Sequence, residues 1–334
     1  MRKRIITVLM LLLSFCLSGC GAPGNTDSDT ANDAAPAEIT FVLDWTPNTN
    51  HTGIYVARNK GWLEAEGLKV NIMQPPENGA ALMVASGKAD FGIDFQDYLA
   101  DAFAIPEPLP VTAVAAVVQH NTSGIISLQE KGITSPKGMA GHTYATWELP
   151  IEQAILKTVL QENGSDLKEV KQIPATVTDV PAALNSDIDC VWVYYGVEGI
   201  SCKRAGLETN FFAFADIDSV FDFYSPVIIA NNDYLKAHSE TAKAFLRAVK
   251  RGYEYAAAHP GEAAEILCDE VPELEPDYIA SSQRYMSTQY IADAESWGVI
   301  DGERWNRFYR WLNENKLMEC PIPEDYGFSM AYLE

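Results

Sequence analysis

Short strand-like segments alternate with helix-like segments through the first two thirds of the 334-residue chain, and this rhythm constrains the fold more than any other feature. Alternating or β-branched apolar residues predict strands, and apolar residues three and four apart predict helices. The predicted strands cover residues 38–43, 69–73, 90–93, 111–118, 124–128, 142–146, 170–173, 190–195, 211–215 and 226–230. The predicted helices cover residues 54–68, 79–86, 95–104, 151–162 and 181–186. Strands joined by crossover helices predict an α/β fold with mainly parallel sheets.

The last hundred residues are predicted to be mostly helical. Ser239 is the expected N-cap of a helix that ends before His259-Pro260, where the proline is suited to open the next helix. Two more helices are predicted over residues 278–294 and 303–315. One domain with so many elements would be unusually large, so we expect two α/β lobes.

The N-terminus predicts export and attachment to a lipid. Three basic residues precede an apolar run over residues 5–17, which is shorter than the roughly 20 residues that span a bilayer. The following Ser18-Gly19-Cys20 is typical of the site at which bacterial lipoproteins are cleaved and acylated. We therefore expect a signal peptide over residues 1–20, lipidation of Cys20 and a flexible polar tether over residues 21–37. An ordinary signal peptide with a chance cysteine is the alternative.

Charge and cysteine content exclude some classes of protein. The formal net charge of -22 argues against nucleic acid as a partner. Cys16 would leave with the signal peptide. The remaining cysteines could stay free or form one or two disulfides outside the cell: Cys190, Cys202, Cys268 and Cys320.

The common catalytic and nucleotide-binding motifs are absent from the sequence. It contains no G-x-G-x-x-G after a strand, no P-loop, no G-x-S-x-G and no H-E-x-x-H. None of the five histidines pairs with another at metal-ligand spacing. The sequence therefore predicts a protein that is not an enzyme and that needs neither a cofactor nor a metal.

Aromatic side chains beside polar groups lie at the ends of three predicted strands. Trp45-Thr46-Pro47-Asn48 with Asn50-His51 follows the first strand, Tyr194-Tyr195-Gly196-Val197-Glu198 ends another, and Asp222-Phe223-Tyr224 precedes a third. Open α/β sheets bind ligands at the carboxyl ends of their strands, so these segments predict a ligand site. Flat rings and a carboxylate suit a planar, nitrogen-rich heterocycle.

Each of these clusters also has a purely structural interpretation. A single tryptophan near a strand end belongs to the core or its rim more often than to a ligand site. Tyr194 and Tyr195 point to opposite faces of a strand, so at most one should face a cleft. Glu198 could sit in the first turn of a helix, and His51 could cap one. Placement of all three clusters on one cleft would favour the ligand site.

Several stretches resemble a known family. Gly61-Trp62-Leu63 followed by Gly67-Leu68, and then Ser86-Gly87-Lys88-Ala89-Asp90-Phe91-Gly92, are similar to motifs of the ABC-transporter solute-binding proteins that deliver pyrimidine precursors of thiamine. That group includes the homologous fungal thiamine-pyrimidine synthase. The same motifs occur in relatives that carry sulfonates, nitrate and other solutes. The likeness to the pyrimidine-binding group in particular lies in the three aromatic clusters described above. The resemblance as a whole covers about residues 38–334.

The resemblance implies a two-lobed, hinged periplasmic-binding-protein fold of type II. Lobe one would comprise residues 38–120 and 225–334, and lobe two residues 121–224. Such a protein would capture an aminopyrimidine between its lobes and deliver it to a permease and its ATPase. The resemblance and the N-terminus together imply a monomer anchored by lipid to the extracytoplasmic face of a bacterial cell membrane.

The resemblance also implies roles for individual residues. Trp45 and Tyr195 would stack on the pyrimidine, and Glu198 would recognise its amino edge. The remaining expected ligand contacts are Asn48, Asn50, His51, Asp94, Gln96 and Tyr224.

Three departures from the family pattern bear on function. Val197 stands where relatives commonly carry tryptophan, so a side chain near the site is smaller here. A sulfonate, nitrate or taurine-like solute is therefore the alternative ligand. The cofactor-linked lysine and the sacrificial histidine of the fungal synthase correspond to Asp94 and Tyr98, and its cysteine cluster is missing. An enzyme of pyrimidine metabolism is therefore disfavoured.

Overall fold

Two five-stranded sheets form the framework of the computed structural model, which describes residues 35–76 and 79–334. The strands of the first sheet are β1 (Ala37–Val42), β2 (Leu68–Met73), β3 (Phe91–Asp94), β4 (Val111–Ala116) and β10 (Val227–Asn231), in the order β2-β1-β3-β10-β4. The strands of the second are β5 (Ser123–Leu128), β6 (Thr143–Thr146), β7 (Lys171–Pro174), β8 (Cys190–Tyr194) and β9 (Thr209–Ala213), in the order β7-β6-β8-β5-β9.

Each sheet has one strand that runs against the other four. In the first sheet β10 is antiparallel to both of its neighbours, and in the second sheet β5 is antiparallel to both of its neighbours. The remaining pairs are parallel. This arrangement confirms the predicted α/β fold with two mainly parallel sheets. The lobe boundaries at 120/121 and 224/225 stay a prediction, and the division of the strands between the two sheets supports it.

Helices connect the strands and cover the sheets. They are α1 (Thr52–Asn59), α2 (Trp62–Ala65), α3 (Ala80–Ala85), α4 (Gln96–Phe103), α5 (Pro150–Glu162), α6 (Val180–Leu184), α7 (Ile200–Arg204), α8 (Asn232–Ala237), α9 (Ser239–Ala258), α10 (Pro260–Glu270), α11 (Pro276–Met286) and α12 (Gly302–Glu314). Among the described residues, none of these helices is both long enough and apolar enough to cross a membrane. Cys20, the signal segment and the tether up to residue 34 lie outside the described residues.

The structure corrects two details of the C-terminal helices. Ser239 is the first residue of α9 and not its N-cap, which is His238. The helix predicted over 278–294 ends at Met286, because the hydroxyl groups of Ser287 and Thr288 bond back to the carbonyls of Arg284 and Tyr285. The four cysteines of the described part of the chain are all free, so the structure contains no disulfide there.

The two segments that pass between the sheets are bonded to each other. His120 Nδ1 lies 2.8 Å from Asp222 Oδ2, and its Nε2 lies 2.9 Å from Asp293 Oδ1. The backbone N–H of Asn121 donates to Asp222 Oδ1 at 3.0 Å, and its side-chain amide donates to the carbonyl of Phe221. The contacts with Phe221 and Asp222 join the two crossovers at the place where the lobe boundaries are predicted, and the contact with Asp293 ties them to the segment after α11.

Helix α9 packs closely against α1, the helix that follows the Trp45 loop. Tyr253 lies so near α1 that a Cβ on Gly53 would fall 2.2 Å from its ring. A Cβ on Gly252 would fall 2.0 Å from the carbonyl oxygen of Gly53. Backbone contact at glycine therefore sets the distance between the two helices and the position of the loop.

We expect Gly252→Ala to destabilise the protein by about 1–3 kcal/mol, because the added methyl group forces α9 away from α1. Urea unfolding followed by circular dichroism measures the change. Gly261→Ala is the matched control, since a Cβ there would meet no atom within 4 Å. Equal stability of the two variants would contradict this packing.

Candidate functional site

A cavity of about 230 Å³ lies between elements of the two sheets. One wall comes from α4, which joins two strands of the first sheet. The other comes from β8 and from the loop and helix that follow β6 in the second sheet. The residues that line this interlobe cavity are Asp97, Tyr98, Asp101, Trp147, Leu149, Pro150, Ile151, Glu152, Trp192 and Tyr194.

Gln96 fixes the start of α4. Its backbone N–H donates to the carbonyl of Tyr224 at 3.1 Å, and its Oε1 accepts the N–H of Tyr224 at 2.8 Å. Its Nε2 donates to the carbonyl of Trp305, and its own carbonyl accepts the hydroxyl of Tyr309. These bonds occupy the polar groups of Gln96 and fix the wall of the cavity, and a ligand contact of Gln96 stays a prediction. Tyr224 is buried as well, and its hydroxyl accepts the N–H of Asp301.

Asp97 is a buried carboxylate with an unused oxygen. Its side chain lines the cavity although the residue is only 5 % exposed. Asp97 Oδ1 has no hydrogen-bond partner among the described residues. Burial raises the pKa of Asp97 to about 7, and the N–H groups of Asp97 and Tyr98 offset part of that rise.

Two predicted acidic residues near the site are tied to the backbone. Asp94 accepts the N–H groups of Ala81 and Phe95, and burial raises its pKa to about 7. Glu198 Oε2 accepts the N–H of Tyr194 at 3.0 Å, and burial also raises its pKa to about 7. Neither lines the cavity in this arrangement.

Glu152 fixes the opposite wall. It is only 3 % exposed and accepts hydrogen bonds from the hydroxyls of Tyr144 and Thr146 at 2.6 and 2.9 Å. It also accepts the backbone N–H groups of Trp147 and Leu149. These bonds use both of its oxygens and hold the loop that carries the Trp147 ring to the cavity.

Aromatic residues line both walls of the cavity, Tyr98 on the first and Trp147, Trp192 and Tyr194 on the second. The ring centroid of Trp192 lies 5.8 Å from that of Trp147 and 4.2 Å from that of Phe214. The ring of Tyr194 stacks on Phe95 at 5.7 Å with an interplanar angle of 26°. Flat apolar surfaces of this kind suit a flat ligand.

The structure revises the choice between the two neighbouring tyrosines. Tyr194 lines the cavity, whereas Tyr195 packs against Phe211 and Tyr285 with centroid distances of 4.8 and 5.2 Å. The alternation of side chains along β8 predicted that one ring at most would face a cleft. Tyr194 is the ring that lines this cavity, and a ligand contact of Tyr195 stays a prediction.

The loop between β1 and α1 is held rigidly. Asn48 Oδ1 accepts the N–H of Asn50 at 2.8 Å, and the hydroxyls of Tyr253 and Tyr290 donate to the carbonyls of Asn50 and Thr49. The indole of Trp45 remains exposed, at 58 %. The loop is therefore ordered by internal bonds while it presents one free aromatic ring.

His51 supports this loop from inside. It is fully buried, and its Nδ1 accepts the N–H of Asn48 at 3.0 Å. Its Nε2 then carries the proton and donates to Asp44 Oδ1 at 2.6 Å. Both ring nitrogens are occupied in this arrangement, and a ligand contact of His51 stays a prediction. Trp45, Asn48 and Asn50 also lie off the cavity lining in this arrangement, and their role as ligand contacts stays a prediction.

The charges around the cavity are all negative. Its lining contains the carboxylates of Asp97, Asp101 and Glu152 and no lysine, arginine or histidine. The N-termini of α4 and α5 would ordinarily favour an anion, but Asp97 and Glu152 already occupy their first turns. The site therefore favours a neutral or cationic ligand over an anionic one.

Comparison with known proteins identifies the family. The model of the family described as NMT1/THI5 like matches residues 48–263. The chain belongs to the NMT1/THI5-like family. It is 28 % identical over 332 residues to the formylaminopyrimidine-binding protein of Halalkalibacterium halodurans, covering 98 % of each chain. It is 26 % identical over 250 residues to the 4-amino-5-hydroxymethyl-2-methylpyrimidine phosphate synthase of Aspergillus parasiticus, covering 70 % of this chain and 71 % of that one.

A solved structure supports the fold. The alkanesulfonate-binding protein SsuA from Xanthomonas axonopodis pv. citri has a TM-score of 0.66 at 12 % identity, covering 89 % of this chain and 99 % of that one. Together with the family match, this confirms the resemblance drawn from the sequence and the two-lobed α/β fold.

Most of the residues that line the cavity were not predicted from the sequence. Two signals could have found them. Trp147-Glu148-Leu149-Pro150 follows β6 in the way that Trp45-Thr46-Pro47-Asn48 follows β1, with a tryptophan and a proline at a strand end. Asp97 and Asp101 are four residues apart, so they share one face of α4.

We expect Asp97→Asn to raise the melting temperature of the ligand-free protein near pH 8 by about 2–4 °C. The raised pKa means that the folded state binds a proton more tightly than the unfolded chain does. The ionised form therefore destabilises the fold increasingly from about pH 4 to about pH 7, and fully above that range.

Calorimetric melting near pH 8 and near pH 4 checks this prediction. The gain should shrink at the lower pH, where Asp97 is protonated in the folded state and its ionised form no longer destabilises the fold. The exposed Asp187→Asn is the control, and we expect it to change stability by no more than about 0.5 kcal/mol at either pH. A gain of the same size at both pH values would contradict the assignment.

Proposed function

We propose that this protein is the solute-binding component of an ABC importer and that it captures an aminopyrimidine precursor of thiamine in the interlobe cavity. The observation that carries the proposal is the lining of that cavity, to which Trp147, Trp192 and Tyr194 contribute aromatic side chains and Asp97 a buried carboxylate. Rings can stack on the faces of a pyrimidine, and a carboxylate can accept hydrogen bonds from its amino group. The name of the relative from Halalkalibacterium halodurans supports the same ligand class.

The size of the cavity also favours a small ligand. At about 230 Å³ it is smaller than the roughly 300–1,000 Å³ of sites that hold drug-sized molecules. A single-ring compound such as a hydroxymethyl- or formylaminomethyl-pyrimidine fits that limit better than a fused-ring cofactor does.

Capture would proceed by closure of the two lobes around the ligand. A ligand that contacts both walls binds the closed form more tightly and shifts the population toward it. We propose that the exposed ring of Trp45 comes over the ligand in this step, and that Glu198 holds the backbone of Tyr194 in place. The closed monomer would then deliver the ligand to a permease and its ATPase at the extracytoplasmic face of the membrane, with a lipid on Cys20 as the anchor.

A sulfonate or nitrate is the alternative ligand on the same fold. The charges of the cavity weigh against it, because an anion would lie beside Asp97 and Asp101 with no cationic side chain in the lining. The alternative to a binding protein is an enzyme, since a fungal relative is named as a synthase. The lining of the cavity contains no lysine, histidine or cysteine that could serve as the nucleophile of such a synthase.

A thermal-shift measurement on the full chain tests the proposal. We expect 4-amino-5-hydroxymethyl-2-methylpyrimidine to raise the melting temperature, since ligand at a hundred times its Kd stabilises a protein by about 2.7 kcal/mol. An alkanesulfonate at the same concentration should leave it unchanged. The reverse pattern, a shift with the sulfonate and none with the pyrimidine, would show that the ligand class is wrong.

A further inference from the structure

One buried serine lies where the two predicted lobes meet. Ser282 belongs to α11, and its neighbours Ile279 and Met286 pack in one hydrophobic core with strands of the first sheet. The Tyr195 turn, which comprises residues 195–199, directly follows β8 of the second sheet. The Ser282 side chain is fully buried and bonds to this turn and to the Trp45 loop between β1 and α1. Ser282 therefore joins elements that belong to different sheets.

The hydrogen bonds of Ser282 have a defined direction. Its contact on the Tyr195 turn is the carbonyl oxygen of Gly196, which can only accept a hydrogen bond, so the Ser282 hydroxyl donates its proton there. The Ser282 oxygen then accepts the proton of the Thr49 hydroxyl, 2.7 Å away. Thr49 lies in the Trp45 loop and is only 1 % exposed. A buried chain of two hydrogen bonds thus runs from the Trp45 loop through α11 to the Tyr195 turn.

Two tyrosines on the same face of α11 strengthen this contact. The Tyr278 hydroxyl donates to the carbonyl of Val197 at 3.1 Å, and the ring centroid of Tyr285 lies 5.2 Å from that of Tyr195. Since Tyr278, Ser282 and Tyr285 are four and three residues apart, they share one face of the helix. That face of α11 therefore lies against the Tyr195 turn.

The close approach of the turn to α11 requires glycine at position 196. A Cβ on Gly196 would overlap the sulfur of Met286. Beyond the turn, Arg204 at the end of α7 donates to both carboxylate oxygens of Glu275, at 2.7 and 2.6 Å. Contacts between the two sides therefore extend from Glu275 to Met286.

Both ends of the hydrogen-bond chain reach the ligand site. Glu198, in the Tyr195 turn, accepts the N–H of Tyr194 at 3.0 Å, and Tyr194 lines the interlobe cavity. At the other end, Thr49 belongs to the loop whose exposed Trp45 ring is proposed to come over the ligand. Ser282 therefore connects the parts of the two lobes that would approach the ligand during closure.

We propose that Ser282 is a positioning residue for ligand capture: its hydroxyl couples the Trp45 loop to the Tyr195 turn, so that both reach their ligand-binding positions together. This inference rests on the proposed function. Ser282 acts through Thr49 and Gly196, and it is not part of the cavity lining. Without the Ser282 hydroxyl, the Thr49 hydroxyl and the Gly196 carbonyl would lack this partner as long as the lobes are together. Its loss should therefore shift the population toward an open form in which water can reach both groups.

Amide hydrogen exchange of the ligand-free full chain, read by mass spectrometry, tests the coupling. We expect Ser282→Ala to speed exchange about 3- to 10-fold in both residues 48–52 and residues 195–200, because loss of a buried neutral hydrogen bond makes local opening easier by that factor. Thr49→Val nearly keeps the shape of the side chain, and it should speed exchange in the Tyr195 turn although the bond that it removes is to Ser282. In the Ser282→Ala background, Thr49→Val should have no further effect on that turn.

Two further variants make the exchange result decisive. Ser281→Ala is the matched control, since the Ser281 hydroxyl bonds within α11 itself, and it should leave both segments unchanged. Tyr278→Phe removes a different bond to the same turn, so it should speed exchange in the turn alone. Faster exchange of the Trp45 loop in Tyr278→Phe, or equally faster exchange throughout Ser282→Ala, would overturn the coupling. If Ser282→Ala does not fold, an unchanged Tyr195 turn in Thr49→Val overturns it.

Titration calorimetry separates a positioning role from a purely structural one. We expect Ser282→Ala to bind 4-amino-5-hydroxymethyl-2-methylpyrimidine about 3- to 10-fold more weakly than the wild type, and Ser281→Ala to bind it equally well. Unchanged affinity of Ser282→Ala would assign Ser282 to stability alone and refute its role in ligand capture. If the wild type binds no aminopyrimidine, the proposed function fails, whereas the exchange experiment needs no ligand and still decides whether Ser282 couples the two lobes.

Discussion

The paired hydrogen bonds between Gln96 and Tyr224 hold the first wall of the cavity, and much of the site depends on them. Tyr224 lies at the end of the crossover that returns to the first sheet, and Gln96 begins the helix that carries Asp97. The crossover and the wall therefore share one rigid junction. Glu152 holds the second wall in place, because its carboxylate accepts hydrogen bonds from the loop that carries Trp147. Two buried polar residues, each in the first turn of a helix, thus preorganise the cavity before any ligand arrives.

Buried carboxyl groups in and near this site lower the stability of the folded protein near neutral pH. Asp94, Asp97 and Glu198 are carboxyl groups whose pKa burial raises to about 7, so their ionised forms are unfavourable in the folded protein near neutral pH. All three recover part of that penalty through backbone N–H groups. Asp97 keeps an oxygen without a partner. A ligand that donates a hydrogen bond to the Asp97 carboxylate would offset this unfavourable free energy when it binds. The offset would add to the affinity and the selectivity of the site.

The framework could be predicted from the sequence because hydrophobic periodicity is a local property, and nearly every predicted strand and helix is present. The site could be predicted only in part, because its residues meet through tertiary packing. Alternation along β8 predicts that Tyr194 and Tyr195 face opposite ways, but only the tertiary packing shows that Tyr194 lines the cavity and that Tyr195 packs on Phe211. The bonds of His51 to Asn48 and Asp44 likewise depend on how the loop folds and are not evident from the sequence. Nothing in the local sequence reveals that the Asp97 carboxylate lacks a partner.

A crystal structure of the protein with 4-amino-5-hydroxymethyl-2-methylpyrimidine is the most direct measurement of the central claim. The decisive quantity is the distance from the exocyclic amino nitrogen to the nearer carboxylate oxygen of Asp97. We expect about 2.7–3.2 Å, with the ring between the aromatic side chains of the two walls. A ligand seated against Tyr195, with its amino group bonded to Glu198 and Asp97 still unpaired, would contradict the account.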